Sequence, residues 1–215
     1  MIDTLLQTVL AYLIGTVMGG SIVGALRGGV DLRAQGSGNI GATNALRTQG
    51  AKFALGVLLI DVLKGVVATL LVPKLPTLAE PLLSVRDQAY VCGVAVALGH
   101  CYPVFARFRG GKGVATLAGV FGALLSMSLL WMLAAFALVV MLTGYVSLAT
   151  IVSTLVALLH VTCFSAYGIW SSAGAFTLAM SLLVVWKHRE NIRRLVAGSE
   201  HRFEKARVLG RWLRL

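Results

Sequence analysis

A short polar, glycine-rich stretch lies between two strongly apolar runs near the start of the chain. It reads Gly36-Ser37-Gly38-Asn39-Ile40-Gly41-Ala42-Thr43-Asn44, with Arg47 shortly after it. Its glycines permit a tight turn that directs several backbone N–H groups to one point, and its hydroxyls, amides and guanidinium add further donors. Such donors suit a phosphate or an acyl phosphate. The alternative is a flexible loop on the membrane side.

Two later segments carry similar groups. One runs from His100 to Thr116 and contains Arg107-Phe108-Arg109-Gly110-Gly111-Lys112-Gly113, and the other runs from His188 to Glu200. Motifs for nucleophilic or metal catalysis are missing, since the sequence has no GxSxG, no HExxH and no His followed five positions later by Asp. The odd number of cysteines, without a CxxC pair, argues against disulfides and zinc. We therefore expect no metal and no cofactor.

A site rich in phosphate donors and poor in nucleophiles suits a reaction in which the protein positions two anions and stabilises transition-state charge. It suits equally a membrane carrier for an anionic phosphorylated metabolite. A carrier needs polar residues along its path, yet residues 114–186 contain no Asp, Glu, Lys or Arg. The only deep charges are Asp61 and Lys64, which share a helical face and are predicted to pair with each other, with substrate contact as the alternative.

Composition indicates a polytopic membrane protein. The chain is 58% hydrophobic and 13% charged, whereas a soluble domain has roughly 25% charged residues. Its mean hydropathy is +0.85. The first residues lack a basic region, so the first apolar run is expected to remain as a span.

The apolar runs are long enough to cross the ~30 Å hydrocarbon core of a bilayer as helices. Three spans are predicted over residues 4–26, 53–72 and 88–105. The uncharged region 114–186 suits four shorter crossings, with breaks near Ser126–Ser128, Thr143–Tyr145 and Ala166–Gly168. We predict an all-α polytopic membrane protein of about seven transmembrane helices, the N-terminus outside and the C-terminus cytoplasmic. Five spans are the alternative and give the same sidedness.

The net charge of +11 is concentrated in three patches. One patch surrounds the first polar stretch, one lies in the second polar segment, and one runs from Lys187 onward. Because basic residues collect on the cytoplasmic side, all three polar segments are predicted to lie there. The pattern indicates topology rather than nucleic-acid binding, and it gives any anionic substrate a favourable field. Polar segments gathered at one membrane face favour a shared site between helices.

The chain is predicted to form a single domain, 1–215, without a soluble module. Residues 198–215 are expected to form a basic amphipathic tail. Its apolar and aromatic residues alternate with basic ones, which is typical of segments that lie on an anionic leaflet. The relevant residues are Phe203, Leu209, Trp212 and Leu213 among Arg202, Lys205, Arg207, Arg211 and Arg214.

The three polar segments together resemble the motifs of the PlsY family, bacterial acyl-phosphate:glycerol-3-phosphate acyltransferases. The first stretch with Arg47 is similar to the first motif. The second and third motifs are matched, in order, by Gly99-His100, Pro103, Phe105, Phe108 and Gly110–Thr116, and then by His188, Asn191-Ile192, Arg194-Leu195, Gly198 and Glu200. Two departures are mild: Ile40 replaces a common proline, and Arg109 replaces a common lysine.

The resemblance implies a reaction in which an acyl group moves from acyl phosphate to the 1-hydroxyl of glycerol 3-phosphate. The products would be lysophosphatidic acid and inorganic phosphate, in the first acylation step of phospholipid synthesis. It implies no metal and no acyl-enzyme, and a site at the cytoplasmic face of the bacterial inner membrane. The implied partners are the two substrates, membrane lipids and a peripheral enzyme that produces acyl phosphate; no nucleic acid is expected.

Residue roles follow from the same resemblance. Backbone N–H groups from Gly38 to Thr43, including Gly41 and Ala42, would cradle acyl phosphate with Ser37 and Asn39, while Asn44 would either brace the loop or touch substrate. Lys112, beside Gly111, and Arg47 would hold phosphate oxygens. His188 and Asn191 would donate to phosphate, or His188 would act as a base. Glu200 would hold a substrate hydroxyl or pair with Arg47 or Lys112. Ser147 is a candidate for reaching glycerol phosphate, and His100 for a structural role.

Overall fold

The computed structural model describes residues 1–78 and 80–213, and these residues contain α-helices and short 3-10 helices but no β-strand. The predicted all-α class is therefore confirmed. The chain divides into two compact units, Met1–Leu124 and Leu125–Leu215. Each unit carries its own share of the predicted site residues.

The first unit is organised around one long apolar helix. Its helices are α1 (Ile2–Thr16), α2 (Gly19–Leu26), α3 (Ala42–Gln49), α4 (Ala51–Leu70), α5 (Val85–Cys101) and α6 (Val114–Leu124). Helix α4 packs against α1, α2, α3, α5 and α6, and α1 also packs against α5. A buried apolar cluster that includes Val23, Leu32 and Val57 joins α2, the following loop and α4. The predicted polar loop is thus anchored to a span by apolar burial.

The predicted first span differs from the structure because it is interrupted. Residues 4–26 were expected to form one helix, whereas α1 ends at Thr16 and α2 begins at Gly19 with a bend of 42° between them. No proline lies at the break. Side chains of α4 satisfy part of its backbone, because Asp61 accepts the Gly19 N–H and Lys64 donates to the Val17 carbonyl.

The second unit contains α7 (Ser126–Thr143), α8 (Val146–Phe164), α9 (Ser172–Lys187), α10 (Arg189–Val196) and α11 (Val208–Trp212). Helix α8 packs against α7, α9 and α10. The three predicted breaks in the uncharged region are confirmed, since helices end and begin near each of them. Gly144, with φ +74°, makes the sharp turn between α7 and α8.

Four helical segments within the described residues are long and apolar enough to cross a membrane, and the bent α1–α2 pair would make a fifth. They are 51–74, 85–106, 126–143 and 146–164. Helices α6 and α9 are also apolar but shorter, at roughly 17 and 24 Å by helical rise. The total of seven spans and the orientation of the termini therefore stay predictions.

The C-terminal segment is more closely attached than an amphipathic surface tail. Arg202 Nε donates to the Thr143 carbonyl at 2.7 Å, and the Phe203 N–H donates to the Gly144 carbonyl at 2.9 Å. An added Cβ at Gly210 would overlap the Leu142 carbonyl. Because these bonds satisfy carbonyls at the end of α7, the segment is held on the α7–α8 turn. Arg214, expected in the tail, lies outside the described residues.

Candidate functional site

Asn44 organises the first polar stretch from the first turn of α3. Its side chain is 2% exposed. The amide nitrogen lies within 3.0 Å of the carbonyls of Leu32, Gln35 and Asn39, and the amide oxygen accepts the Ser37 N–H at 2.9 Å. These four side-chain hydrogen bonds all join Asn44 to the loop, so the structure favours the bracing role over direct substrate contact.

Some backbone N–H groups of the same stretch are hydrogen-bonded within the loop, and others have no acceptor among the described residues. The Gly38 N–H donates to the Gln35 carbonyl and the Gly41 N–H to Asn39 Oδ1. Within the described residues, the N–H groups of Ala42 and Thr43 at the start of α3 have no acceptor. The first N–H groups of a helix point outward and, with the helix dipole, favour an anion. The N–H groups of Gly38 and Gly41 are therefore used within the loop, and the phosphate cradle from Gly38 to Thr43 stays a prediction.

Arg47 adds a positive charge to the same helix. It lies four residues after Thr43 on α3 and is half-buried, and residues four apart share a helical face. The side chains of Thr43 and Arg47 therefore lie on one face of this short helix.

The Lys112 loop is fixed against the end of α5. The Gly111 N–H donates to the His100 carbonyl at 3.1 Å. Any Cβ at Gly110 would overlap that same carbonyl, and a Cβ at Gly111 would overlap the His100 imidazole. Gly113 has φ +82° and starts the path into α6. Lys112 is half-buried, and its backbone position is set by glycines that allow this close approach.

His100 belongs to a buried polar cluster with Asp61 and Lys64. Lys64 Nζ lies 3.0 Å from Asp61 Oδ1 and 2.8 Å from His100 Nδ1. The predicted Asp61–Lys64 pair is present, and the structural role considered for His100 is supported by its 3% exposure.

Glu200 organises the polar residues of the second unit. Its carboxylate accepts from the Ser147 hydroxyl at 3.0 Å, from Asn191 Nδ2 at 2.6 Å and from Arg194 Nε at 2.7 Å. The structure pairs Glu200 with Arg194, and the pairing with Arg47 or Lys112 considered from the sequence stays a prediction. No role had been predicted for Arg194, because a spacing of six residues is no helical contact signal.

The turn after α10 explains how Glu200 returns to this helix. Gly198 has φ +67°. The Gly198 N–H donates to the Leu195 carbonyl and the Ser199 N–H donates to the Arg194 carbonyl, which is the Schellman arrangement at a helix end. The reversal brings the carboxylate back over Asn191 and Arg194.

The ionisation of Glu200 follows from these contacts. Burial opposes the charged form, but hydrogen bonds from Asn191, Arg194 and Ser147, with the Arg194 charge, outweigh it and lower the pKa of the Glu200 carboxyl. Glu200 is consequently ionised at neutral pH. An ionised carboxylate accepts but does not donate hydrogen bonds, so it orients its neighbours.

His188 lies at the junction of α9 and α10. It is 3% exposed, and its Nδ1 lies 2.8 Å from the Val184 carbonyl. A carbonyl only accepts, so Nδ1 carries a proton, and in the neutral ring Nε2 is then the acceptor nitrogen. This bond fixes the ring orientation. Nε2 of the neutral ring can accept a proton as a base, whereas donation from Nε2 to phosphate requires the protonated ring.

The predicted residues fall into two groups. The first unit gathers the α3 start, Arg47 and the Lys112 loop, while the second gathers Ser147, His188, Asn191 and Glu200. Among the described residues there is no group of three or more His, Cys, Asp or Glu side chains able to hold a metal ion.

Apolar helices long enough to cross a membrane, with a polar loop and half-buried cations in the first unit, define an all-helical integral membrane protein. The sequence profile of one family, glycerol-3-phosphate acyltransferase, matches residues 5–198. The chain belongs to that family. The resemblance deduced from the three motifs is thereby confirmed.

Individual relatives match the chain over nearly its whole length. A glycerol-3-phosphate acyltransferase of Geobacter sulfurreducens is 41% identical over 204 residues, covering 95% of this chain and all of the relative. One of Bacillus subtilis is 37% identical over 198 residues, covering 91% and 95%.

Two solved structures share the fold. Crystal structures of PlsY (YgiH), described as an integral membrane glycerol 3-phosphate acyltransferase, match with a TM-score of 0.83 and cover 96% of this chain and 98% of theirs. The glycerol 3-phosphate form is 37% identical in the comparison, and the lysophosphatidic acid form is 36% identical.

Proposed function

We propose that this protein acylates glycerol 3-phosphate with an acyl phosphate as the direct donor. The 1-hydroxyl oxygen attacks the acyl carbonyl carbon, the bond from that carbon to the phosphate oxygen breaks, and lysophosphatidic acid and inorganic phosphate leave. The hydroxyl proton passes to a phosphate oxygen of the substrate, so no acyl-enzyme is formed. Neither a metal nor a cofactor enters this scheme.

The observation that carries the proposal is the start of α3 in a chain of this family. The N–H groups of Ala42 and Thr43 have no acceptor in the described part of the chain, and together with the Arg47 cation they offer donors suited to phosphate oxygens. Lys112 supplies a second cation from the same compact unit. The phosphate of an acyl phosphate leaves with increased charge, which such donors stabilise.

The second unit supplies groups that suit glycerol 3-phosphate. Ser147, Asn191 and Arg194 are oriented by one ionised carboxylate, Glu200. We assign to Ser147 and Asn191 contacts with the substrate and to Glu200 the orientation of both. His188 is assigned hydrogen bonding to phosphate through Nε2 of its protonated ring, whose orientation is fixed by the Val184 carbonyl.

The proposed setting is the bacterial inner membrane with the site at the cytoplasmic face, seven spans, the N-terminus outside and the C-terminus inside. Clustering of Lys and Arg near the polar segments supports this orientation. A peripheral enzyme that makes acyl phosphate is the expected supplier of the donor. Reporter fusions at the ends of α5 and α9 would test the sidedness.

The deciding experiment offers the purified protein glycerol 3-phosphate with either acyl phosphate or acyl-CoA and measures lysophosphatidic acid. We expect product from acyl phosphate alone. Because acyl phosphates also acylate alcohols without enzyme, the matched control is the folded Lys112→Ala protein, which should give only the background rate.

Product from acyl-CoA alone would overturn the donor assignment. Product from neither donor would overturn the enzymatic function itself. In that case, uptake of glycerol 3-phosphate by liposomes containing the protein would favour the carrier alternative.

A further inference from the structure

The cluster of Asp61, Lys64 and His100 is buried among apolar helices. The exposed fractions are 1%, 5% and 3% respectively. Ionisable groups inside membrane spans are costly and persist where they serve a structural or functional need. The contacts of this cluster with the backbone and with the two loops indicate which need it serves.

One side of the cluster completes the broken backbone between α1 and α2. Lys64 Nζ donates to the carbonyls of Gly15 at 3.0 Å and Val17 at 2.6 Å, and Asp61 Oδ1 accepts the Gly19 N–H at 3.2 Å. A cation therefore meets the C-terminal end of α1 and an anion meets the N-terminal end of α2, as the helix dipoles require. Backbone groups left unpaired at a break would otherwise be costly in a membrane.

Helix α2 packs closely against the first loop, so the position of this helix affects the loop. An added Cβ at Gly20 would overlap the Ile40 carbonyl, and one at Gly24 would overlap the Val30 carbonyl. Contacts this close leave little freedom for sliding. The direction of α2, set by Asp61 and Lys64, therefore fixes the backbone just before Gly41 and α3.

The other side of the cluster fixes the second loop. Lys64 donates to His100 Nδ1, so the ring proton is on Nε2, the nitrogen that a Cβ at Gly111 would overlap. The His100 carbonyl also accepts the Gly111 N–H at 3.1 Å. The residue after Gly111 is Lys112.

We propose that Asp61, Lys64 and His100 are positioning residues that fix the two phosphate-holding loops of the first unit relative to each other. The inference rests on the proposed function of the α3 start and Lys112. The cluster touches no substrate. It sets the distance between the α3 donors and the Lys112 ammonium, on which the stabilisation of a transferring phosphate depends.

The first test replaces the ion pair by neutral side chains of similar size, Asp61→Asn with Lys64→Met, so that no charge is left uncompensated. The matched control is Thr69→Val, a buried change on the same helix whose hydroxyl bonds only to α4 carbonyls. We expect kcat/KM of the double variant to fall at least thirtyfold, and that of Thr69→Val to stay within threefold of wild type. Equal kinetic constants in a folded double variant would overturn the proposal.

A double-mutant cycle separates positioning from general destabilisation. It does not depend on the folding of the Asp61→Asn, Lys64→Met variant. It combines His100→Ala with Lys112→Arg, which keeps the cation. Because His100 acts through Lys112, the combined loss should be smaller than the product of the two single losses. Fully multiplicative losses would contradict the proposal.

Calorimetric binding of glycerol 3-phosphate and inorganic phosphate gives a readout independent of turnover. The His100→Ala protein should bind phosphate at least tenfold more weakly than wild type while Thr69→Val binds it normally; unchanged binding by His100→Ala would refute the positioning role. An inactive wild type with acyl phosphate would refute only the proposed donor, because these binding ratios would still be measured.

Discussion

The side-chain oxygen of Asn44 lies 2.9 Å from the backbone nitrogen of Ser37. A residue within α3 therefore holds the loop that precedes this helix. The same amide reaches three loop carbonyls, so one buried side chain sets the conformation from Leu32 to Asn39 and leaves the α3 N–H groups directed outward.

Replacing Asn44 should disrupt this loop. Asn44→Ala removes the amide, and at a net ~0.5–1.5 kcal/mol per hydrogen bond we expect a loss of about 2–4 kcal/mol in unfolding free energy and at least tenfold in kcat/KM. Asn44→Asp should not rescue it, since a carboxylate would face three carbonyl acceptors. Thermal unfolding in detergent and initial rates measure both effects. Leu46→Ala, an exposed position on the same helix, is the control expected to remain near wild type.

Lys112→Ala should remove stabilisation of charge on the leaving phosphate. We expect a loss of about 2–4 kcal/mol in transition-state stabilisation, comparable to the loss of an oxyanion donor, or roughly 30- to 1,000-fold in kcat/KM. Lys52→Ala, an exposed lysine at the start of α4, is the matched control for charge. Near-normal turnover by folded Lys112→Ala would refute the phosphate contact.

His188→Gln distinguishes a hydrogen-bond donor from a general base. A glutamine amide can still donate to phosphate but cannot accept a proton at neutral pH. Loss of a general base costs roughly 10²–10⁴-fold, whereas for a lost hydrogen-bond donor we expect kcat to fall by less than about tenfold. A loss of a hundredfold or more, beside an unaffected His201→Gln control, would instead assign the base role to His188.

Glu200 should make stability dependent on pH. Its pKa is lowered in the folded protein from an ordinary value of 4.5, so its stabilisation is complete above that value and is lost as the pH falls through the lower folded pKa. At pH 7, Glu200→Gln should be less stable by about 1–3 kcal/mol, the range for hydrogen bonds to a charged group.

The measurement is thermal unfolding of both proteins from neutral to acidic pH. The advantage of wild type over Glu200→Gln should shrink in acid, where the carboxyl is protonated. A difference that stays constant through this range would contradict the assignment. Arg193→Gln, whose partner is the exposed Glu190, controls for loss of a neighbouring surface ion pair.

The break between α1 and α2 shows why some of the fold could not be predicted. The residues from Thr16 to Gly19 contain no proline and continue an apolar run, so local pattern favours one uninterrupted span. The groups that satisfy the break, Asp61 and Lys64, are more than 40 residues away in sequence. Their own spacing predicted only that they would pair.

The sequence by itself determined the helical membrane class, the three breaks after Val114 and the family, because hydropathy, charge placement and short motifs are local properties. The motifs in the sequence also predicted the candidate site residues of both units. Only the tertiary structure decided which donors remain: Gly38 and Gly41 are used within the loop, whereas Ala42 and Thr43 are not. It likewise paired Glu200 with Arg194. Hydrogen-bond partners depend on where distant chain segments pack, and no spacing rule along the sequence encodes that.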